Sequence, residues 1–450
     1  MNKSVSNAAE KRHVSVAPAR LAAFDILRRV DAGAYASILL ASAEEKLEPR
    51  DRALCHELVM GVLRFQLWLD HSIEHFAERP VARLDLAVKL ALRLGLYQLR
   101  FLTRIPHSAT VNESVNLVRR ARVRSAESFV NAVLRRASRE LEFDPAAAIE
   151  DPIERLAIST SHPRWLIERW IKAFGRNEAE SLATANNQPA PVAFRVVRRD
   201  AAGKILEQLR AAGTTLEASQ IADDAWRLQG GGQLAQELAR AGKIYFQDEA
   251  SQMVAQILDA QPGDQVLDVC AAPGSKTSQI AATAAVSVWA GDIHLHRIET
   301  VRQALHTQGL TNVGCLVLDG ESGLPFSEGT FDRVLVDAPC SGTGTLRHNP
   351  EIRWRISAAD VQELANQQQK ILGNAALVVK PGGRLIYSTC SVEPEENEGV
   401  VTDFLARSRD FAPVTLSVPE RLKGSTNTAR TWPHRDDTDG FFVAAFARRV

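Results

Sequence analysis

The sequence has few cysteines, no long apolar run and no excess of either charge. Its five cysteines are odd in number and lack the spacing of a metal site: Cys55, Cys270, Cys315, Cys340 and Cys390. Such a set argues against a disulfide framework and for a reducing compartment. The apolar stretches are far shorter than a membrane span, and the N-terminus lacks a signal-peptide core. We therefore expect a cytoplasmic protein without metal or membrane partners.

Charge and length limit the class further. The 54 basic residues equal the 54 acidic ones, so any nucleic-acid binding must come from a local patch. A chain of 450 residues with 45% apolar and 24% charged residues fits a globular protein of several domains. We expect it to act as a monomer. Residues 1–16 are polar and mixed, which predicts a disordered tail.

Residues 17–145 are predicted to be entirely helical. Apolar side chains recur every three or four residues from Leu54 to Leu69 and again from Leu86 to Phe101, the pattern of amphipathic helices. The last third carries an arginine cluster suited to phosphate contacts, with Glu127 as its one nearby acid: Arg119, Arg120, Arg122, Arg124, Arg135 and Arg136. The alternative is an ordinary solvated helix face.

This helical segment resembles the NusB fold family. The likeness lies in the sequences Ala-Phe-Asp-Ile-Leu at 23–27, Asp-Arg-Ala-Leu at 51–54, Leu-Ala-Leu-Arg-Leu-Gly-Leu-Tyr-Gln-Leu at 90–99 and Ser-Phe-Val-Asn-Ala-Val-Leu-Arg-Arg at 128–136. It implies an RNA-binding module. In residues 146–240 the purely helical pattern gives way to a mixture of helix and strand patterns. This mixture predicts a linker with a small α+β domain, including a strand at 193–197 and a helix at 205–211.

From residue 241 to 450, strand and helix signals alternate. Short apolar runs predict five strands, at 266–269, 288–292, 313–318, 334–337 and 385–388. A long helix before the fifth strand is predicted to close at residues 380–383, and a late strand at 439–446 is expected to be antiparallel. Alternation of this kind predicts a doubly wound α/β sheet.

Acidic residues stand at the predicted strand ends, where open α/β sheets bind ligands. The turn after Asp268 contains glycine only at Gly274, so it is not a dinucleotide loop, and the sequence has no P-loop. Asp292 can bind ribose hydroxyls, and Asp319 can accept a hydrogen bond from an adenine amino group. The series suits a nucleoside without a triphosphate, although each single acid also fits a turn or helix cap.

Three motifs of this region resemble the RNA cytosine-C5 methyltransferases of the RsmB/NOP family. They are Val-Leu-Asp-Val-Cys-Ala-Ala-Pro-Gly-Ser-Lys-Thr at 266–277, Asp-Ala-Pro-Cys-Ser-Gly-Thr-Gly at 337–344 and Tyr-Ser-Thr-Cys-Ser at 387–391. The resemblance implies a Rossmann-like class I methyltransferase domain that binds S-adenosylmethionine. It assigns the cofactor contacts to Cys270, Ala271, Ala272, Pro273, Gly274, Ser275, Lys276, Asp292, Arg297, Asp319 and Asp337. Ser275 replaces the glycine usual in the family, and we expect this small residue to be tolerated.

The two remaining motif cysteines fit the chemistry of cytosine C5. This carbon is a poor nucleophile until a thiolate adds to C6, which splits one hard step into two. By resemblance, Cys390 is the nucleophile and Cys340 assists release of the product. Asp337 is expected to protonate N3, and Lys276 either lowers a thiol pKa or orients Asp337. The roles of the cysteines can also be reversed, as in DNA cytosine methyltransferases.

The resemblance also implies the substrate, a specific single-stranded or hairpin-loop cytosine in 16S rRNA, namely cytosine 967. Two further hypotheses stay open at this point. One is a catalytically inactive RNA-binding assembly or antitermination factor, and the other is methylation of a cytosine in another RNA such as tRNA. Methylation of an adenine amino group is disfavoured, because it typically uses an Asn/Asp-Pro-Pro-aromatic loop in place of Asp337-Ala-Pro-Cys.

Overall fold

The computed structural model describes residues 16–44, 46–230, 232–283, 285–424 and 426–450. The predicted disordered tail therefore lies outside the described residues, except for Val16. The fold divides into two compact units. The first contains the described residues up to Ala183 together with Asn349–Trp354, and the second contains the described residues of Thr184–His348 and Arg355–Val450.

The first unit is helical, as the apolar periodicity predicted. Its helices are α1 (Pro18–Asp31), α2 (Ala36–Glu44), α3 (Pro49–Arg64), α4 (Gln66–Ala77), α5 (Leu86–Phe101), α6 (His107–Arg120), α7 (Glu127–Ala137), α8 (Pro152–Thr160) and α9 (Arg164–Phe174), and α10 (Arg176–Ala185) runs past its end. The two predicted stripes point inward: Leu58, Val62, Leu69 and Leu94 have no exposed surface. Their burial supplies the hydrophobic core of this unit.

The segment Asn349–Trp354, which lies between elements of the second unit in the sequence, packs in the helical unit. Within Asn349–Trp354, Arg353 is fully buried and its guanidinium donates to the Ser161 carbonyl at 3.0 Å. The carboxylate of Glu351 accepts from the N–H of Ala36 at 2.8 Å, and the Trp354 indole donates to the Leu63 carbonyl at 3.1 Å. These contacts make the segment part of the helical core, which its sequence position did not predict.

The arginine cluster is more heavily paired than the sequence suggested. Arg119 contacts Glu127 at 2.6 Å, as expected. The prediction that Glu127 is the one nearby acid is wrong, because Arg136 contacts Glu78 at 2.7 Å and Glu140 at 3.6 Å. Glu78 is distant in sequence and reaches Arg136 through the folding of α4 against α7. The exposed members of the cluster are Arg120, Arg122, Arg124 and Arg135.

The second unit contains two sheets. The smaller one is antiparallel, with β1 (Val192–Val196), β2 (Thr215–Ala218), β3 (Ala225–Gln229) and β4 (Ile244–Phe246) in the order β2-β3-β1-β4. Helices α11 (Ala202–Ala211) and α12 (Gly232–Arg240) accompany it, and Phe194, Leu209 and Ala235 are buried in their shared core. This part confirms the predicted α+β segment.

The larger sheet is doubly wound. Its strands are β5 (Gln265–Asp268), β6 (Ser287–Asp292), β7 (Val313–Val317), β8 (Phe331–Asp337), β9 (Val379–Thr389), β10 (Phe411–Pro413), β11 (Thr428–Arg430) and β12 (Phe442–Arg448). The order is β10-β12-β9-β8-β5-β6-β7, with β11 beside β12. The five strands β5 to β9 are parallel, and β12 pairs antiparallel with β9, which confirms the predicted Rossmann-like arrangement.

Helices pack on both faces of this sheet. Residues of α16 (Ala358–Leu377) and α17 (Val400–Arg407) share one core with it, and residues of α13 (Glu249–Ile257), α14 (Ser275–Thr283) and α15 (Leu295–Gln308) belong to the other cores. The short α18 (Pro433–Asp436) precedes β12. The predicted break at residues 380–383 is not a separate turn. Val379 already pairs with Phe331, and the chain bulges before pairing resumes at Arg384 with Arg333, so β9 begins earlier than expected. No helix among the described residues is both long and apolar enough to cross a membrane.

Candidate active site

The strand order brings the carboxyl ends of β8 and β9 together, and with them the two cysteine motifs. Asp337 ends β8 and pairs with Ser388 of β9, whose hydroxyl donates to Asp337 Oδ1 at 2.7 Å. Lys276, in the first turn of α14, donates its Nζ proton to Asp337 Oδ2 at 2.6 Å. Burial disfavours the charge of Lys276, but the negative Asp337 outweighs it, and the pKa of Lys276 is raised. The geometry thus joins a buried ammonium to the carboxylate.

The thiols of Cys340 and Cys390 lie against one another. Their Sγ atoms are 3.2 Å apart, and both residues are partly exposed. The hydrogen bond to Cys390 and burial raise the pKa of Cys340 well above its usual value, and the charges of Cys390 and Glu396 act in the same direction. Cys340 therefore keeps its proton and can share it with the sulfur of Cys390.

The other three cysteines have no comparable surroundings. Burial raises the pKa of the Cys270 thiol well above its ordinary value, with the neighbouring carboxylates of Asp268 and Asp337 adding to the shift. Burial also raises the pKa of Cys55, to about 11, and the pKa of Cys315, which lies in β7. A thiol is nucleophilic as its thiolate, so these three residues are poor nucleophiles.

A buried carboxylate that the sequence did not reveal joins the loop after β8, here the Cys340 loop, to the loop after β9, here the Cys390 loop. Glu396 has no exposed surface, and its side chain accepts from the N–H of Ser341 at 2.8 Å and from the Ser391 hydroxyl at 2.5 Å. The Ser341 hydroxyl also donates to it, and the amide of Gln368 in α16 donates at 3.0 Å. Burial raises the pKa of Glu396, although its donors oppose the shift. The signal available in the sequence was an acid-rich run that follows the second cysteine motif.

Glycines bring three backbone segments into contact beside the thiols. The N–H of Gly344 donates to the Cys390 carbonyl at 2.9 Å, and the N–H of Gly440 donates to the Gly344 carbonyl at 2.8 Å. A Cβ atom on Gly344 would stand 1.9 Å from the Gly440 carbonyl oxygen and 2.8 Å from that of Cys390. Only glycine allows this approach, so the Cys340 loop, the Cys390 loop and the segment before β12 share one backbone junction.

The predicted nucleoside-binding acids lie at the ends of β6 and β7, as their sequence positions indicated. Asp292 is 3% exposed, contacts Arg297 at 3.3 Å and accepts from the N–H of His294 at 3.2 Å. Asp319 is exposed and accepts from the N–H of Glu321 at 2.9 Å, while its other oxygen accepts from Ser322 at 2.8 Å. Asp319 thus forms the turn that was the alternative interpretation, and Asp292 stays available to a ligand on its remaining lone pairs.

The turn between β5 and α14 contains the remaining predicted cofactor contacts, Cys270, Ala271, Ala272, Pro273, Gly274 and Ser275. Gly274 has a φ of +103°, and a Cβ atom there would lie 3.3 Å from the Cα of Val301. Ser275, the departure from the family pattern, is not among the described non-glycine residues with positive φ. The substitution therefore requires no left-handed backbone.

Asp268 is a second buried acid at this turn that had no predicted role. Burial raises its pKa to about 7, against the Thr277 hydroxyl and the N–H of Cys270, which lower it. Thr277 donates to its Oδ2 at 2.6 Å, while Oδ1 is buried without a well-formed hydrogen bond among the described residues. Among all the residues that the structure describes, no group of His, Cys, Asp and Glu side chains has the arrangement of a metal site.

Comparison with protein families agrees with the order of these parts. Residues 17–139 match the NusB family, and residues 162–235 match a ferredoxin-like domain of RsmF/B-like methyltransferases. Residues 255–447 match the family described as 16S rRNA methyltransferase RsmB/F. The three matches follow one another without overlap and span most of the chain.

Two relatives and one solved structure align with this chain over nearly the whole length of both proteins. The chain is 36% identical over 429 residues to a probable ribosomal RNA small subunit methyltransferase B of Bacillus subtilis, covering 92% of this chain and 95% of that protein. It is 35% identical to ribosomal RNA small subunit methyltransferase B of Pseudomonas putida, with 94% and 97% covered. The crystal structure of PH0851 aligns with a TM-score of 0.84 and 26% identity, over 96% of this chain and 99% of that one. The chain therefore belongs to the 16S rRNA methyltransferase RsmB/F family, whose members use S-adenosylmethionine as the methyl donor.

Proposed function

We propose that this protein methylates C5 of a cytosine in 16S rRNA, with Cys390 as the nucleophile and Cys340 as the residue that assists product release. The observation that carries the proposal is the 3.2 Å approach of the two thiols next to a bonded Lys276–Asp337 pair. A single thiol suffices for addition to C6, and a second one within reach of the same ring serves the reverse step. The family resemblance points to cytosine 967 as the target.

In the first step, the Cys390 thiolate adds to C6 of the flipped cytosine, and the electron pair moves through the ring to C5. The ring nitrogen N3 takes up a proton from the Lys276–Asp337 pair: the Lys276 ammonium gives its proton to the Asp337 carboxylate, which passes a proton to N3, and Lys276 is left as the neutral amine. The 2.6 Å hydrogen bond between them supports this relay. Ser388 holds the other carboxylate oxygen at 2.7 Å and so keeps Asp337 in place.

In the second step, once C5 carries the transferred methyl group, the C5 proton must leave so that the C6–Sγ bond can break. When Cys390 is bonded to C6, neither its hydrogen bond nor its charge raises the pKa of Cys340 any longer. Cys340 then releases its own proton to solvent and, as the thiolate, accepts the proton from C5. Loss of the proton restores the C5–C6 double bond and expels Cys390 as a thiolate. The family resemblance assigns the attack to Cys390 and this second step to Cys340.

The residues around β5 and β6 fit the methyl donor. Bound S-adenosylmethionine supplies an electrophilic methyl group, and the chain has only to hold it against C5. Asp292, which is 3% exposed at the end of β6, suits the ribose hydroxyls. Gly274 lets a ligand approach the N-terminus of α14, and Oδ1 of Asp268, which lacks a well-formed hydrogen bond to any described residue, suits an amino group. Cys270 to Lys276, Arg297, Asp319 and Asp337 complete the proposed set.

The NusB-like helices are proposed to hold the rRNA. Arg120, Arg122, Arg124 and Arg135 are exposed and lie near the ends of α6 and α7, where they can neutralise phosphates. Arg119 and Arg136, which were also predicted to bind RNA, have carboxylate partners and contribute less. This division follows from the donors already in use: Arg119 directs Nε and Nη2 to Glu127 and Nη1 to Asn116, and Arg136 directs Nη1 to Glu78 and Nε to Glu140.

The test is methyl transfer from isotopically labelled S-adenosylmethionine to 16S rRNA, followed by bisulfite sequencing. The proposal predicts one protected cytosine in rRNA, and none when Cys390→Ala replaces the wild-type protein. Label in tRNA but not in 16S rRNA would overturn the choice of substrate. RNA binding without label in any RNA would favour an assembly factor.

A further inference from the structure

His348 and Asp439 form an ion pair beside the cysteine loops that the proposed reaction does not use. Nδ1 of His348 lies 2.9 Å from Oδ1 and 3.1 Å from Oδ2 of Asp439. His348 follows the short turn Thr343–Thr345, and its N–H donates to the Thr345 carbonyl at 3.0 Å. His348 is therefore held both by its backbone N–H and by its imidazole ring.

Asp439 is itself fixed in a buried network. It is 6% exposed, and its N–H donates to Oδ2 of Asp248 at 3.1 Å. The hydroxyl of Thr431 donates to the Asp439 carbonyl at 2.6 Å. Asp248 also accepts from Thr438 at 2.8 Å and caps α13 through the N–H of Ala250. A carboxylate this constrained sets the direction of the imidazole.

The same backbone junction anchors this pair and the nucleophile. Gly440, directly after Asp439, donates to Gly344, and Gly344 donates to the carbonyl of Cys390. His348 lies four residues after Gly344 in the continuation of the Cys340 loop. His348 and Asp439 are thus each close in sequence to a glycine of the junction that includes Cys390.

His348 carries a positive charge that is open to solvent on one side. The negative charge of Asp439 raises the pKa of His348 to about 9, against burial, which lowers it; Asp248 adds to the increase and Arg347 opposes it. Its side chain is 41% exposed, and its ring hydrogen bonds to described residues are all made by Nδ1, so Nε2 has no partner among those residues. Arg347, by contrast, is 4% exposed and donates to Asp437 at 2.8 Å and to the Pro189 carbonyl at 2.6 Å.

We propose that His348 binds an RNA phosphate next to the target cytosine through its Nε2–H. The inference rests on the proposed function in one respect, that RNA enters beside the cysteines. A fixed imidazolium with one free donor suits an anion, and phosphate contacts are what position a nucleic acid for chemistry at a base. Such a contact would hold the strand while the base leaves its stack.

The test compares His348→Gln, His348→Arg and a control, His306→Gln, which changes an exposed histidine of α15. Affinity for an RNA stem-loop containing the methylated cytosine is measured by fluorescence anisotropy over a series of salt concentrations. Loss of one phosphate contact should weaken binding roughly tenfold and reduce the salt slope by about 0.7. His348→Arg should restore both values, and His306→Gln should change neither.

The pH dependence gives a second readout. Raising the pH through about 9 should bring the wild-type salt slope down to that of His348→Gln, because the imidazolium loses its charge. A lower melting temperature with an unchanged slope would show that the pair is only structural. Weaker binding with an unchanged slope would assign a base or sugar contact and overturn the phosphate assignment.

The result for His348 can be distinguished from the result for the proposed methyl transfer. Wild-type methyl transfer to cytosine is measured in parallel with the binding series. If no cytosine is methylated, the proposed function fails, whereas the salt slope still reports whether His348 meets a phosphate.

Discussion

Asp292 shows how one carboxylate at a strand end can be assigned by its surroundings. It is almost fully buried, and its protein contacts, Arg297 at 3.3 Å and the N–H of His294 at 3.2 Å, are long. Asp319 looks similar in the sequence, but both of its oxygens are used within its own turn. Similar residues at equivalent strand ends therefore differ in what they can offer a ligand.

The difference predicts distinct effects on cofactor binding. Asp292→Ala should weaken the binding of S-adenosylmethionine by about 1–3 kcal/mol, the scale of a lost hydrogen bond to a charged group. Asp319→Ala is the matched comparison and should weaken it less. Titration calorimetry measures both, and an unchanged affinity for Asp292→Ala would remove this residue from the ribose role.

Asp268 makes the stability of the cofactor-free protein depend on pH. Its pKa is about 7 in the folded protein, against 3.8 for an ordinary aspartate carboxyl, so the folded state binds an additional proton between these values. The free energy of unfolding therefore falls as the pH rises through this window. Asp268→Asn cannot ionise and should be more stable than the wild type at about pH 8, with the difference shrinking toward about pH 4.

Thermal unfolding across this range tests the sign, and Asp332 provides a control of opposite sign. The pKa of Asp332 is lowered, because Lys380 and the N–H of Gln265 outweigh its partial burial. Asp332→Asn should therefore lose stability above about pH 4, where the wild-type carboxylate is ionised. If Asp268→Asn followed the wild-type curve at every pH, the buried carboxyl would not be the source of the dependence.

At the scale of elements, Glu396 connects the loop after β8 to the loop after β9. Its hydrogen bonds to Ser341, Ser391 and Gln368 join three elements around one buried carboxylate. Because Glu396 has no exposed surface and bonds to the residue after each cysteine, it is expected to position the thiols without touching the substrate.

Removing this carboxylate should separate chemistry from cofactor binding. Glu396→Ala leaves several buried donors unpaired, so we expect a loss of about 3 kcal/mol in the free energy of unfolding. Methyl transfer should fall steeply while the affinity for S-adenosylmethionine stays at the wild-type value. Chemical denaturation and calorimetry measure the two effects. Full methylation by a folded Glu396→Ala protein would exclude the positioning role.

Part of the candidate site could be predicted from the sequence. Asp292, Asp337 and the two cysteine motifs were located correctly, because short apolar runs followed by small or acidic residues mark strand ends. Glu396 and Asp268 were missed, since their importance arises from burial and from partners such as Gln368, which is 28 residues from Glu396. The start of β9 was misplaced because Pro381 and the two following glycines, which suggest a turn, form a bulge at the edge of a paired strand.

At the scale of the whole molecule, the second half of the chain contributes a segment to the helical unit. Residues 349–354 follow the Cys340 loop and are held by Ala36, Leu63 and Ser161. Neither periodicity nor motif spacing can predict such an excursion, because it depends on tertiary contacts between residues about 190 to 315 positions apart.

The helical unit also carries the exposed arginines, which gives a prediction for substrate binding. Replacing Arg120, Arg122 and Arg124 together with Ala should weaken rRNA binding and reduce its salt slope by about 2, or about 0.7 for each phosphate. A matched triple change at the exposed Lys204, Arg240 and Lys243 removes the same charge elsewhere. Anisotropy titrations at several salt concentrations compare the two. Equal slopes for the first variant and the wild type would make the cluster an ordinary solvated face.

The central claim is the division of labour between the two thiols, and trapping the covalent intermediate tests it most directly. Wild-type protein, Cys340→Ala, Cys390→Ala and the double variant are each incubated with rRNA and S-adenosylmethionine and separated on a denaturing gel. The account predicts a protein–RNA adduct for Cys340→Ala, which attacks and methylates but cannot release, and none for Cys390→Ala or the double variant. An adduct from Cys390→Ala with none from Cys340→Ala would contradict the assignment and reverse the two roles.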